Sequence, residues 1–185
     1  YAISARTLGP LADALVMNIS CPNSGDGKTF EDPGLLELLL SRVCPIAHDL
    51  KKPILVKLSP DLPEQALDEV LEVAKRHGVK GFVTSNTTTQ REGLSTDESE
   101  FAEIGPGGLS GRPLFERTID RIQHVRQRVG EGVLLVGVGG VFDGEDARRA
   151  LDAGADLVEG YTGFVYRGPG YAKAIHGYLA KRSDQ

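Results

Sequence analysis

The stretch VLLVGVGGVFDGEDARRALDAGADLVEGYTG, residues 133–163, decides the fold. It opens with a short apolar run, 133–138, too short for a helix and bounded by glycines. Runs of this kind fit strands buried on both faces. Asp143 then stands where a helix N-cap belongs, Ala147, Ala150 and Leu151 mark an inward face, and Gly154 closes the helix. A second short run at 157–158 leads into Gly160, Tyr161, Thr162 and Gly163. Strand, helix, strand with tight connections is a parallel βαβ unit.

The same alternation extends through the chain. Further strands are expected at 14–19 (ALVMNI), 54–58 (ILVKL) and 81–84 (GFVT). Leu35, Leu36, Leu39, Val43 and Ala47 define one helix, and Leu67, Val70, Leu71 and Ala74 another. The latter has Asp61 and Glu64 at capping-box spacing, Pro63 in its first turn, and its end at His77–Gly78. Pro113 opens a helix with Leu114, Ile119, Ile122, Val125 and Val129 inward, and residues 171–181 form the last one. Five strand–helix alternations allow two architectures: a five-stranded doubly wound sheet, or the last five units of a (βα)₈ barrel. A complete barrel needs about 200 residues or more. At 185 residues, the barrel reading expects a single domain over 1–185 whose first strands lie outside this sequence.

Composition narrows the function. Of 185 residues, 40% are hydrophobic and 25% charged, which excludes disorder and coiled coil. A net charge of −5 speaks against a general nucleic-acid binder. No apolar run approaches the ~20 residues of a membrane span, and the start lacks the pattern of a signal peptide. Two cysteines, Cys21 and Cys44, make no disulfide framework, and no cluster suggests a metal site. Cys44 lies in apolar sequence and reads as structural; His48, His77, His124 and His176 read as surface or helix-end residues.

Chemistry is concentrated where the apolar runs stop. Asn18 leads into Ser20, Cys21, Pro22 and Asn23; Lys57 interrupts the second strand; Ser85, Asn86, Thr87 and Thr88 follow the third; Gly139 and Gly140 follow the fourth; Tyr161 and Thr162 follow the fifth. In a parallel α/β fold these positions share the rim at the strands' carboxyl ends, where ligands bind. A lysine within a buried strand is costly unless something anionic or strongly accepting meets it. The glycines at 137, 139 and 140 let backbone N–H groups approach a phosphate, although Phe142 stands where GxGxxG needs its third glycine. Cys21, in a polar loop with no neighbouring His or Asp, suits proton abstraction better than acyl transfer. The long irregular stretch 87–111 has the length of a lid or binding loop.

These pieces, in this order, resemble the flavin-dependent dihydroorotate dehydrogenases: NISCPN at 18–23, VKLSPD at 56–61, SNTT at 85–88, GGLSGRPL at 107–114, GVGG at 137–140 and GYTGFVYRGP at 160–169. The resemblance covers nearly the whole chain. It implies strands four to eight of a (βα)₈ barrel with FMN at its top. It implies that Asn18, Lys57, Ser85, Gly111, Gly139, Gly140, Tyr161 and Thr162 contact FMN, that Asn18, Asn23, Asn86 and Thr87 hold the pyrimidine, and that Cys21 is the catalytic base. The implied reaction takes a proton from C5 of dihydroorotate and a hydride from C6 to the flavin, giving orotate. GGLSGRPL, NTTTQREGL and GYTGFVYRGP resemble the quinone-reducing, membrane-associated class, whose base is normally serine, whereas cysteine is typical of the soluble, fumarate- or NAD-linked class. The longer motifs favour quinone as second substrate and a peripheral site on the cytoplasmic side of a membrane, with membrane contact only through sequence N-terminal to this chain. The alternatives are a soluble enzyme of the other class, a related FMN barrel acting on another dihydropyrimidine, or a non-catalytic flavodoxin-like module holding a phosphate ligand.

Overall fold

The computed structural model describes residues 1–20, 29–96, 100, 103, 105 and 107–183. Five strands form one parallel sheet: β1 (Leu15–Asn18), β2 (Ile54–Leu58), β3 (Gly81–Thr84), β4 (Leu134–Val138) and β5 (Leu157–Glu159). Their spatial order is their sequence order. Around them run α1 (Ala2–Leu8), α2 (Pro33–Asp49), α3 (Glu64–Arg76), α4 (Phe115–Val129), α5 (Gly144–Asp152), α6 (Thr162–Arg167) and α7 (Tyr171–Ser183). Single 3₁₀ turns at Gly9–Leu11 and Arg112–Leu114 precede β1 and α4.

The side-chain partition settles the architecture. Met17, Val56, Phe82 and Leu135 point to one face, where they join residues of the surrounding helices in a single core. The opposite face carries a separate cluster of Leu55, Val83 and Val136, flanked by Leu134 and Val138, with no helical residue in it. A doubly wound sheet has helices on both faces and a reversal of strand order. Neither occurs among the described residues, so the doubly wound alternative is excluded. Consecutive parallel strands with helices on one side form an arc of a (βα) barrel, its strand-only face being the barrel interior. On the outer strands of the arc that face is open: Val16 is 48% exposed and Leu157 is 54% exposed.

Most elements start and stop where the sequence indicates. Asp143 caps α5 by accepting from the backbone N–H groups of Glu145 and Asp146, both at 3.0 Å. The exception is α3. Its N-cap is Pro63, and no side chain caps it. The Asp61–Glu64 capping box does not form, because the Asp61 carboxylate is engaged by Thr88, Thr89 and Arg117. Helices α1 and α6 were not expected from periodicity, being only 7 and 6 residues long. His77 and His124 bond to Glu37 and Asp68 on neighbouring helices, as surface histidines do. Cys44 packs half-buried against the core, and burial pushes its thiol pKa up, which keeps it protonated. Among the described residues no helix is long and apolar enough to cross a membrane.

The amino ends of the strands are tied by Arg126 of α4. Its guanidinium donates to the carbonyls of Gly130, Val133 and Gly154 and to Asp156, whose carboxylate also receives the Leu135 N–H at 2.7 Å. That clamp lies at the end of the sheet away from the polar rim.

The core assignment has a direct check by chemical denaturation. Phe82, wholly buried on the central strand, is expected to lose about 3–5 kcal/mol on substitution by alanine. Leu38→Ala, on the half-exposed side of α2, is expected to cost less than about 1 kcal/mol. Equal costs would contradict the assignment.

Candidate cofactor and substrate site

Parallel pairing sets the site. Asn18 lies opposite Lys57, Lys57 opposite Val83, and Val138 opposite Glu159. The ladder then continues two residues beyond β3: Ser85 donates its N–H to the Val138 carbonyl at 2.7 Å and Asn86 to that of Leu58 at 2.8 Å. Those two bonds fix the polar segment at 85–86 against the ends of β2 and β4.

The result is a cavity of ≈ 480 Å³ at the carboxyl rim, within the range of small-molecule sites. Lys57, Ser85, Asn86, Thr87, Gly111, Gly139, Gly140, Tyr161 and Thr162 all line it. Ser110, Leu114, Val138, Val141, Glu159, Gly160 and Gly163 complete the wall. Lys57 is half-buried on the interior face, with no hydrogen-bond or ion-pair partner among the described residues.

Asn18 stands beside the cavity rather than in its wall, and hydrogen bonds connect it. The Asn86 amide donates to Ser20 Oγ at 2.8 Å and to Asn18 Oδ1 at 3.4 Å, while Ser20 Oγ donates to Asn18 Oδ1 at 3.2 Å. Two of the residues expected to hold a pyrimidine are therefore linked through Ser20, which the sequence reading placed on the rim without giving it a role. Cys21 and Asn23 lie outside the described residues.

Three anchors hold the loops that form the cavity. Asp61, after β2, accepts from Thr88 Oγ1, from Thr89 N–H at 2.8 Å and Oγ1 at 3.1 Å, and from Arg117 at 3.1 Å. Arg117 also donates to Thr88, Gln90 and the Pro60 carbonyl. Between them these two residues fix the start of the 87–111 stretch, and a Thr88–Leu109 bridge draws its far part back. The end of the stretch is held twice. Arg112 pairs with the buried Asp146 at 2.7 Å and lies over the Phe142 ring at 4.7 Å. Ser110 and Thr162 share a hydroxyl–hydroxyl bond of 2.9 Å, which joins this loop to the one after β5.

The wall fits a flavin mononucleotide on two observations. The Ser85 hydroxyl is buried without a hydrogen-bond partner among the described residues and belongs to the lining, so it is available to a ligand heteroatom. The backbone at Gly139 and Gly140 runs at φ 132° and 72°, and a Cβ would meet Thr118 at 2.4 Å and Phe115 at 2.6 Å. Only glycine satisfies both demands, which set this loop close against α4 while both residues line the cavity.

A segment of (βα) barrel whose glycine loops after the last two strands meet a half-buried lysine and an amide cluster has the layout in which barrels frequently hold a phosphate group. The sequence model of the dihydroorotate dehydrogenase family matches residues 1–182. This chain belongs to the dihydroorotate dehydrogenase family. It is 40% identical over 182 residues to the dihydroorotate dehydrogenase (quinone) of Rhodococcus erythropolis, covering 98% of this chain and 50% of that protein. With the enzyme of the same name from Leifsonia xyli it shares 44% over 184 residues, covering 99% and 53%. A crystal structure of DHODH from Eimeria tenella in complex with ferulenol superposes with a TM-score of 0.87 at 28% identity, covering 96% of this chain and 52% of that one. The chain thus spans about half the length of the relatives it matches.

Asp61 gives this site an acid limb. Burial works against its charge, but the hydrogen bonds from Thr88 and Thr89 and the nearby Arg117 outweigh it and hold the pKa below the ordinary carboxylate range. A depressed folded pKa contributes stability above the unfolded value of about 3.9, lost as pH falls through the folded value. Asp61→Asn is expected to cost about 1.5–3 kcal/mol at neutral pH and to remove part of the stability decline on acidification. A variant whose pH–stability curve parallels that of the parent below pH ~5 would contradict this.

Proposed function

We propose that this chain supplies the FMN- and substrate-binding rim of an enzyme that oxidises dihydroorotate to orotate and passes the electrons to a quinone, within a barrel domain closed by further strands. One observation carries the reading: seven of the eight residues that the motifs assign to FMN line one cavity, and the eighth, Asn18, is hydrogen-bonded to Asn86 in its wall. These residues come from two strands and from the connections after three others, and the parallel sheet brings them to one rim. The quinone acceptor rests on the names of the relatives and on the motifs at 86–94, 107–114 and 160–169.

When bound, FMN supplies the hydride acceptor and the subsequent electron transfer. The protein groups then have separate tasks. Gly139, Gly140 and the turn at Tyr161–Thr162 offer backbone N–H groups to the phosphate. Lys57, without another partner among the described residues, places a fixed positive charge where negative charge develops, in surroundings that need no reorganisation. Ser85 gives its hydroxyl to the same ligand. Asn86 and Asn18, oriented by Ser20, present amides to the planar polar edge of the pyrimidine, and Thr87 adds a hydroxyl. Cys21 takes the C5 proton. Its reference pKa near ~8.5 is far below that of a serine hydroxyl, so less activation is required of the loop around it.

Two measurements test the reading. The full-length protein is expected to purify yellow, to release FMN on denaturation, and to form orotate from dihydroorotate with a quinone. A colourless protein that FMN does not reconstitute would contradict it. Cys21→Ser is expected to retain FMN while its pH–rate profile moves to higher pH. An unchanged profile would remove Cys21 from the role of base.

A further inference from the structure

Helix α7 begins with Tyr171, a residue to which the proposed reaction gives no task. Its side chain is buried, 8% exposed, and its hydroxyl donates to the Val141 carbonyl at 2.8 Å. Val141 directly follows Gly139–Gly140 and lines the same cavity. Thus the phenol holds the loop after β4.

The same ring also fills the space over the loop after β5. A Cβ built on Gly160 would stand 2.0 Å from the Tyr171 oxygen and 2.7 Å from Cε1. A Cβ on Gly163 would stand 2.9 Å from Tyr171 Cε2 and 2.3 Å from the Val141 carbonyl oxygen. Distances below 3 Å at backbone and ring atoms leave no room for relaxation by a flexible tip. Neither glycine has a positive φ, so space rather than backbone conformation requires them. One aromatic side chain therefore touches both glycine loops, and the glycines of the second loop are small because it does so.

We propose that Tyr171 is a positioning residue that locks the loops after β4 and β5 into one cradle for the cofactor's phosphate, with Gly160 as its steric complement. The proposal rests on the FMN reading of the cavity. Tyr171 does not line the cavity, so it acts through the backbone at Val141 and Gly160. Burial, with Asp146 and Asp143 nearby, keeps its pKa above the ordinary phenol value, so the donor persists throughout the physiological range.

The experiment compares FMN with riboflavin, which lacks the phosphate, by fluorescence titration of the full-length apoprotein. For Tyr171→Phe, FMN affinity is expected to fall about tenfold, with riboflavin affinity unchanged within about twofold. Gly160→Ala is expected to weaken FMN binding and lower the melting temperature, and Tyr171→Leu in the same chain is expected to restore part of both by vacating the space. Wild-type affinity for FMN in Tyr171→Phe, or equal losses for FMN and riboflavin, would overturn the proposal. So would a Gly160→Ala defect that is the same in the Tyr171 and Leu backgrounds. A wild-type protein that binds neither flavin would defeat the cofactor reading itself, and the Gly160–Tyr171 coupling in melting temperature then decides whether the contact exists.

Discussion

Strand polarity is the constraint on which the rest depends. Because all five strands run the same way and each pairs with its sequence neighbour, every loop that follows a strand emerges on one rim. Residues far apart in sequence, Lys57, Ser85, Gly139 and Tyr161, become walls of one cavity without any long-range device of their own. The sheet itself is secured elsewhere, by the helix-covered core and by Arg126 at the opposite end. Stability and ligand chemistry thus occupy different ends of the same strands, as is general for barrels.

A rim made of loops needs its own restraints. Here they are ion pairs whose carboxylate is at least partly buried and is also bonded to backbone or hydroxyl donors. Asp61 and Arg117 form one such group, and Arg112 and Asp146 another. Such bonds contribute more than exposed ion pairs, and their loss leaves a desolvated group unpaired. Both groups act on the 87–111 stretch, the first at its start and the second just after its end. The stretch therefore enters and leaves the rim at fixed points, which holds Asn86 and Thr87 at its root in the cavity wall.

Much of this architecture was legible in the sequence because its signals are local. Short apolar runs bounded by turn residues gave the five strands, and Asp143 gave a helix start that the hydrogen bonds reproduce. Choosing between a barrel arc and a doubly wound sheet was not a local matter, since both alternate strand and helix. It took the position of the helices on one face to decide. Asp61 shows the opposite failure. Its spacing to Glu64 satisfies a capping box, but a competing set of donors 27 and more residues away in the chain claims the carboxylate. Tyr171 and Ser20 escaped notice for the same reason. Each owes its importance to partners on other loops, and nothing in the neighbouring residues announces it.

The central claim is that one flavin occupies the cavity bounded by Lys57, Ser85, the glycines at 139–140 and the turn at 161–162. A crystal structure of the full-length protein with FMN tests it most directly. The expected density places the phosphate against the two glycine loops, the ring within hydrogen-bond reach of Lys57 Nζ, and a flavin heteroatom on the Ser85 hydroxyl. Flavin bound elsewhere, with Lys57 instead paired to Glu159 across an empty cavity, would contradict the account.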